Sequence, residues 1–442
     1  MNIWSKIKAF FSRNKVKNQW KAGKNQPQRW IGTDLEEQLD FQAERLANFS
    51  ALSSQNSWLT KRVIDVAARS VIGTGIKPLE NEELRKAFAT KTLDATGDSN
   101  FYSMQRLILR EYYRFGHSFL VRQSRSPLKM TVVSPQKLDR TKGNNGIEYT
   151  QMGRAVAYWF LQGPGKPSKR VPRKDVAHFL IKMFAGQKQG LPPLAQCLNK
   201  IEQLENYDES VLERHVLINA LTGFVKSDPL SDAGELFGLD GDNSPDNQRL
   251  QEIRPGTLNY LSDGQDVSFP DIALPNYQQS GFADHLKRTV AAVSGYTYEN
   301  LTQDYSNVNF SSARMGKIQE TETVREIQDE FIIQVLEEVD AWFREDETKT
   351  LNYLDPSQVW VVPNRPVIDP MKDQQAKAHA IRNGFTDRDT IVMQLSGRKA
   401  EEVDAATASI IQREEGLGIV LDTNPKKVSA AGNPNPQTEN EE

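Results

Sequence analysis

A chain of 442 residues, 38% hydrophobic and 26% charged with a net charge of −3, has an ordinary globular composition and room for two or three domains. It has no run of eighteen apolar residues, so no membrane-spanning helix and no membrane partner are expected. The single cysteine, Cys197, excludes an internal disulfide framework and suits a reducing cytosol.

In chain order, residues 1–32 carry eight Lys or Arg and no acid, interleaved with Trp4, Phe10, Phe11, Trp20 and Trp30. Such a basic arm fits a transit peptide, a membrane-surface helix, a nucleic-acid-binding arm or a plain exposed terminus. A helix is predicted from Asn56 or Ser57, stopped by Gly73, Gly75 and Pro78, and a second over 101–114. Strand-like runs follow at His117 to Arg122, Lys129 to Val133, Ala155 to Leu161 and Val176 to Ile181, separated by Gly, Pro and Ser clusters. That alternation predicts an α+β domain.

After Pro192-Pro193 the pattern changes to a long helix over 194–221, with Leu194, Leu198, Ile201, Leu204, Val211, Ile218 and Leu221 on its apolar face. A polar excursion over 226–276 contains one expected strand, Thr257 to Leu261, and a helix at Phe282 to Val293 follows it. Gln303 to Phe310 reads QDYSNVNF, a poor helix former. Beyond it a helix of about thirty residues is predicted, N-capped by Ser311 or Ser312. Ile318, Val324, Ile327, Phe331, Val335, Val339 and Trp342 form its apolar face, and Glu320, Glu322, Glu326, Asp329, Glu330, Glu337, Glu338 and Asp340 its exposed acidic one. A strand pair within 351–368 and two or three short helices over 370–414, broken by Gly384 and Gly397, precede a tail from Asp422 of disordered composition.

Enzyme chemistry is missing. There is no phosphate-binding loop, since Gly163-Pro164-Gly165-Lys166 is too short and lacks a strand-to-helix context. No HExxH and no GxSxG elbow occur, and Gly73-Thr74-Gly75 follows a helix where a dinucleotide loop must follow a strand. The five histidines (His117, His178, His215, His285, His379) stand singly, without metal-ligand spacing. No catalytic residue, metal or cofactor is expected.

Several strings resemble the portal proteins of tailed bacteriophages, in their lambda-type branch, over nearly the whole chain. They are NSWLTKRVIDVAARSVIGTGI (Asn56 to Ile76), Val133-Ser134-Pro135, GRAVAYW (Gly153 to Trp159), RVPRKDVAHF (Arg170 to Phe179), GQKQG (Gly186 to Gly190), RPGT (Arg254 to Thr257) and Ile368-Asp369-Pro370. The most specific is YENLTQDYSNVNFSSAR, Tyr298 to Arg314, although Thr297 stands where proline is common.

The resemblance implies an α+β portal fold with wing, stem, clip and crown regions, assembled as a ring, usually of twelve copies, at one capsid vertex of the virion. After the basic arm 1–32, it assigns 33–190 to the wing, 191–223 and 277–295 to paired stem helices, and 224–276 to a clip. It assigns 296–312 to a tunnel loop, 313–368 to a long wing helix with strands, and 369–420 to a crown, ahead of the tail 421–442. Double-stranded DNA is the implied cargo. The large terminase subunit, head-tail connector proteins and a major capsid or scaffold protein are the implied partners, with assembly in the bacterial host cytoplasm. The implied tunnel-loop residues are Gln303, Asp304, Tyr305, Ser306, Asn307, Asn309 and Phe310. With a single charge, Asp304, such a loop can touch phosphates through neutral groups without the grip of cations.

Lys287 and Arg288 are candidates to face the channel, a neighbouring subunit or merely solvent. Arg314, Glu322, Glu326, Asp329 and Glu330 are candidates for a subunit interface, because a head-to-tail ring needs two complementary faces. Two other classes compete: an enzyme acting on nucleic acid, and a monomeric helical adaptor using its basic arm.

Overall fold

The computed structural model describes residues 35–79, 81–220, 224–227, 265–268, 278–346, 359–363 and 370–419. Expectations for the basic arm, the strand at Thr257 to Leu261 and the tail from Asp422 lie outside the described residues, as does most of 224–276. The chain divides into two units, one of Leu52–Lys61 with Leu194–Gln303, the other of Arg62–Pro193 with Asp304 onward and the segment up to Ala51.

In the second unit the helices are α1 (Leu35–Asn56, shared with the first), α2 (Trp58–Val71, likewise shared), α3 (Glu82–Ala89) and α4 (Phe101–Phe115). The α1 helix was not expected: its sequence, LEEQLDFQAERLANFSALSSQN, has only a diffuse apolar stripe. Its Ala47 and Ala51 pack on Phe115. Two three-stranded antiparallel sheets follow. Strands β2 (Ser118–Ser124), β3 (Lys129–Val133) and β7 (Val176–Phe179) run in the order β3-β2-β7, and β4 (Ile147–Tyr149), β5 (Ala155–Phe160) and β6 (Lys169–Pro172) in the order β4-β5-β6. Thus β4 and β6, too short for a period-2 signal, join the four predicted strands.

The sheets face each other through Phe119, Val121 and Val176 on one side and Ile147, Tyr158, Phe160 and Val171 on the other. Helices cover the far side of the β3-β2-β7 sheet, where Phe179 of β7 meets Tyr112 of α4, with ring centroids 5.0 Å apart, and Phe331 at 5.3 Å. Gly116 (φ +84°) ends α4 in the left-handed region, where an added Cβ would lie 2.4 Å from Leu191 backbone atoms. Only glycine permits that approach of two chain segments.

Phe331 belongs to the long helix, α8 (Phe310–Phe331), which continues through a π-helical turn (Ile332–Leu336) into Glu337–Arg344, roughly 50 Å in all. Val324, Phe331, Val335, Val339 and Trp342 are buried as predicted, but Ile318 is 50% exposed. Polar side chains anchor the helix to the sheet unit. Gln334 donates to Leu180 O at 3.0 Å and accepts its N–H at 2.8 Å, and Trp342 Nε1 donates to Lys174 O at 2.8 Å. Buried Arg122 binds Asp175 and, at 2.6 Å, Glu345, with its guanidinium 5.3 Å from the Trp342 ring centroid. The eight-acid exposed face therefore needs correction. Glu320 (1% exposed) and Asp340 (6%) are buried, because Lys317 and Arg344 reach them from the adjacent turn. Glu338 is likewise paired inward, to Arg173 at 2.9 Å.

The short strand β10 (Trp360–Val361) pairs with β1 (Lys77–Pro78), far away in sequence. Three helices, Pro370–Arg382, Arg388–Ser396 and Ala400–Leu417, account for 370–414 with Gly384 and Gly397 as breaks.

In the first unit, α5 (Leu198–Ala220) packs against α6 (Gln278–Ser294), with the Tyr207 and Phe282 rings 5.2 Å apart. Leu194, Leu198, Ile201 and Leu204 are buried as predicted, but Leu194 to Cys197 precede the helix proper. Strands β8 (Phe224–Ser227) and β9 (Gln265–Ser268) pair at the two ends of the polar excursion. A short helix, α7 (Tyr298–Thr302), completes the unit.

Candidate functional site

The predicted loop is partly helical. Thr297 Oγ1 accepts the N–H of Asn300 at 3.2 Å and caps α7, a role proline could not fill. The helix closes at Gln303, whose φ of +60° is left-handed and whose N–H donates to Glu299 O at 2.8 Å. A glutamine in that conformation costs about 1–2 kcal/mol.

From Asp304 the chain enters the other unit. Asp304 Oδ1 accepts the N–H of Ser306 at 3.0 Å and its hydroxyl at 2.6 Å, closing a local turn. Asn309 Oδ1 then accepts the N–H of Ser312 at 2.8 Å and its hydroxyl at 2.9 Å. Asn309 is thus the N-cap, and the long helix starts at Phe310 rather than after Ser311 or Ser312. Asn and Ser cap about equally well, so composition could not choose between them. Phe310 is therefore a helical residue, a correction to its placement in the loop. Asp304, Ser306, Asn307 and Asn309 are exposed, and Tyr305 and Phe310 present aromatic surface at 64% and 54% exposure. Only Val308 is half-buried. The segment offers water a row of amides and hydroxyls beside two aromatic rings.

In the first unit, Lys287 Nζ lies 3.6 Å from Asp284 Oδ1, which also accepts the Tyr298 hydroxyl at 3.3 Å. The Arg288 guanidinium stacks 4.3 Å above the Tyr298 ring. Both cations thus engage their own unit, with Arg288 exposed and Lys287 half-buried. On the long helix, Glu322, Glu326 and Asp329 are exposed one turn apart, and Arg314 is exposed two turns earlier. Glu330 is half-buried and accepts a hydrogen bond from Gln334 at 2.5 Å.

Among the described residues no three or more His, Cys, Asp or Glu are grouped to hold a metal ion. Two of the singly spaced histidines nevertheless meet. His117 Nδ1 lies 3.3 Å from His178 Nε2, and His178 Nδ1 is 3.2 Å from the Tyr158 hydroxyl. One proton between each pair satisfies the chain with both rings neutral. Burial pushes His117 down to about 3, and burial, then its neighbour His117, holds His178 well below the ordinary range. The residues are 61 apart and meet because β2 pairs with β7, which local spacing could not reveal.

The family model described as phage portal protein, lambda family, matches residues 22–328, which include α5, α6, Tyr298–Thr302 and the start of the long helix. The chain belongs to that family of portal proteins.

A probable portal protein of Halomonas phage phiHAP-1 is 24% identical over 371 residues, covering 76% of this portal chain and 71% of the relative. Solved structures of gene transfer agent particles are also similar. A chain from the neck of an empty particle matches at 13% identity with a TM-score of 0.49, covering 81% of this chain and 93% of that one. One from a native virion matches at 12% and 0.47, covering 90% and 99%.

Proposed function

We propose that this portal protein is the subunit of a homo-dodecameric ring at a capsid vertex of the virion, through whose channel double-stranded DNA is packaged and ejected. The observation that carries the reading is the exposed, near-neutral segment Gln303–Asn309 held at the N-cap of the long helix. A surface that must let a polyanion slide needs weak contacts, because each phosphate neutralised by a cation adds affinity and releases counterions. Amides and hydroxyls meet that demand, and the long helix gives the loop a rigid base.

In this reading Gln303, Asp304, Tyr305, Ser306, Asn307, Asn309 and the helical Phe310 line the channel. Residues 33–190 with 313–368 form the wing, 191–223 and 277–295 the stem, and 369–420 the crown. Residues 224–276 form the clip that docks the large terminase subunit and later the head-tail connector proteins. Arg314 and the exposed acids Glu322, Glu326 and Asp329 supply complementary charges between neighbouring copies, with Glu330 at the edge of that face. Lys287 and Arg288 serve the stem's own packing first.

Native mass spectrometry of the purified chain, with class averages from negative-stain images, tests the proposal. The expected result is a ring of twelve with a central hole. A chain that stays monomeric even with its capsid or scaffold partner present would overturn it.

A further inference from the structure

The Gln303–Asn309 segment is anchored at both ends, and the two anchors differ in kind. At its far end the Asn309 cap passes into the long helix, whose Val324 and Phe331 are buried. At its near end stands α7, five residues long and too short to hold its own direction. It packs on α6, and buried Tyr296 and Leu301 seat it in the first unit. Apolar burial is non-directional, so this foot holds α7 down without fixing where its axis points.

Direction comes from Tyr298. Its hydroxyl donates to Asp284 Oδ1 at 3.3 Å, and the Arg288 guanidinium lies 4.3 Å from its ring centroid. Asp284 and Arg288 are four residues apart on α6, hence neighbours on one helix face. A ring held at its tip by one and across its face by the other can neither swing nor roll. Lys287, 3.6 Å from the same Asp284 oxygen, steadies the carboxylate. Thr302 Oγ1 donates to Tyr298 O at 2.9 Å, which bonds the clamped residue to the last turn before the segment leaves. There Gln303 takes its left-handed φ of +60°, a conformation a residue other than glycine keeps only where its surroundings over-determine it.

We infer that Tyr298, gripped between Asp284 and Arg288, is the positioning residue that aims the Gln303–Asn309 segment. Its consequence for DNA rests on the proposed channel, whereas the clamp itself lies within one unit of one chain. Neutral side chains touch phosphates weakly, so the effect of such a segment on a passing duplex depends on where it is held.

The test is electron paramagnetic resonance of the full-length protein with a nitroxide on N307C. Asn307 is exposed, and burial pushes the Cys197 thiol up to about 12, so at neutral pH the label goes to the introduced cysteine. Removing the grip, by Y298L or by R288Q at the exposed partner, is expected to shorten the label's rotational correlation time by about twofold or more. R288K keeps a cation over the ring and should keep the wild-type spectrum. A label on A405C, exposed on the last helix, should respond to none of these changes. Particles carrying Y298L or R288Q should retain less DNA than particles carrying R288K. If Y298L does not fold, R288Q and Y298F carry the test, the latter losing only the hydroxyl. Unchanged N307C spectra in the folded variants would overturn the inference, since the clamp would then be packing alone. So would normal DNA retention with a mobilised label where deletion of Asp304–Val308 loses DNA. A chain that forms no ring gives the same spectral readout, so failure of the proposed ring is separable from failure of the clamp.

Discussion

At Gly116 a backbone conformation and a packing contact impose the same residue. Its φ of +84° disfavours any side chain, and a Cβ there would also meet the Leu191 and Gly190 backbones at 2.4–2.5 Å. Gly153 has a comparable φ of +77° but nothing within 4 Å of a built Cβ. Gly116→Ala should therefore cost clearly more than Gly153→Ala, at least about 2 kcal/mol against about 1, in urea unfolding. Equal losses would show that the close approach adds nothing to the conformational cost. Asn309 illustrates a different limit: the expected caps, Ser311 and Ser312, lie within one turn of it, and only the built turn selects the asparagine.

Among the elements, the sheet pair holds two neutral histidines in its interior. Their folded-state pKa values are depressed, so the unfolded chain binds protons that the folded chain refuses as pH falls below about 6.5. Stability is full above the unfolded value and declines below it, by about 1.4 kcal/mol per pH unit for each ring, until the folded value is reached. Urea midpoints between pH 7.5 and 4.5 should fall more steeply for the wild type than for H117F/H178F. Parallel slopes would mean that the rings are protonated within the fold. The long helix shows how tertiary context reassigns an amphipathic pattern: acids at 320 and 340 that periodicity puts outside are drawn in by a lysine and an arginine one turn away.

For the whole molecule, charge is the organising quantity. A near-neutral total conceals a helix with ten acids against four bases between Ser311 and Asp346, and a stretch of opposite sign over 125–174. Regions of opposite sign on one subunit suit a head-to-tail assembly and a polyanionic cargo. Deleting Asp304–Val308 while keeping the Asn309 cap should leave the melting temperature within about 2 °C, because the segment's side chains are exposed apart from Val308. The ring should still form while packaged DNA is lost from particles. A deletion that prevents folding would make the segment structural, and one that packages normally would remove it from the channel.

The sequence by itself determined the helices with clear apolar stripes, the four longer sheet strands, the glycine breaks of the last three helices and the family. Each rests on local periodicity, a local stop signal or a run of consecutive residues. Tertiary structure alone decided that β4 and β6 complete a second sheet, that β1 pairs with β10, and that His117 meets His178. It also decided that Glu320 and Asp340 are buried. These outcomes depend on strand pairing and side-chain reach between residues distant along the chain, and no local pattern encodes which distant partner a strand or a charge will find.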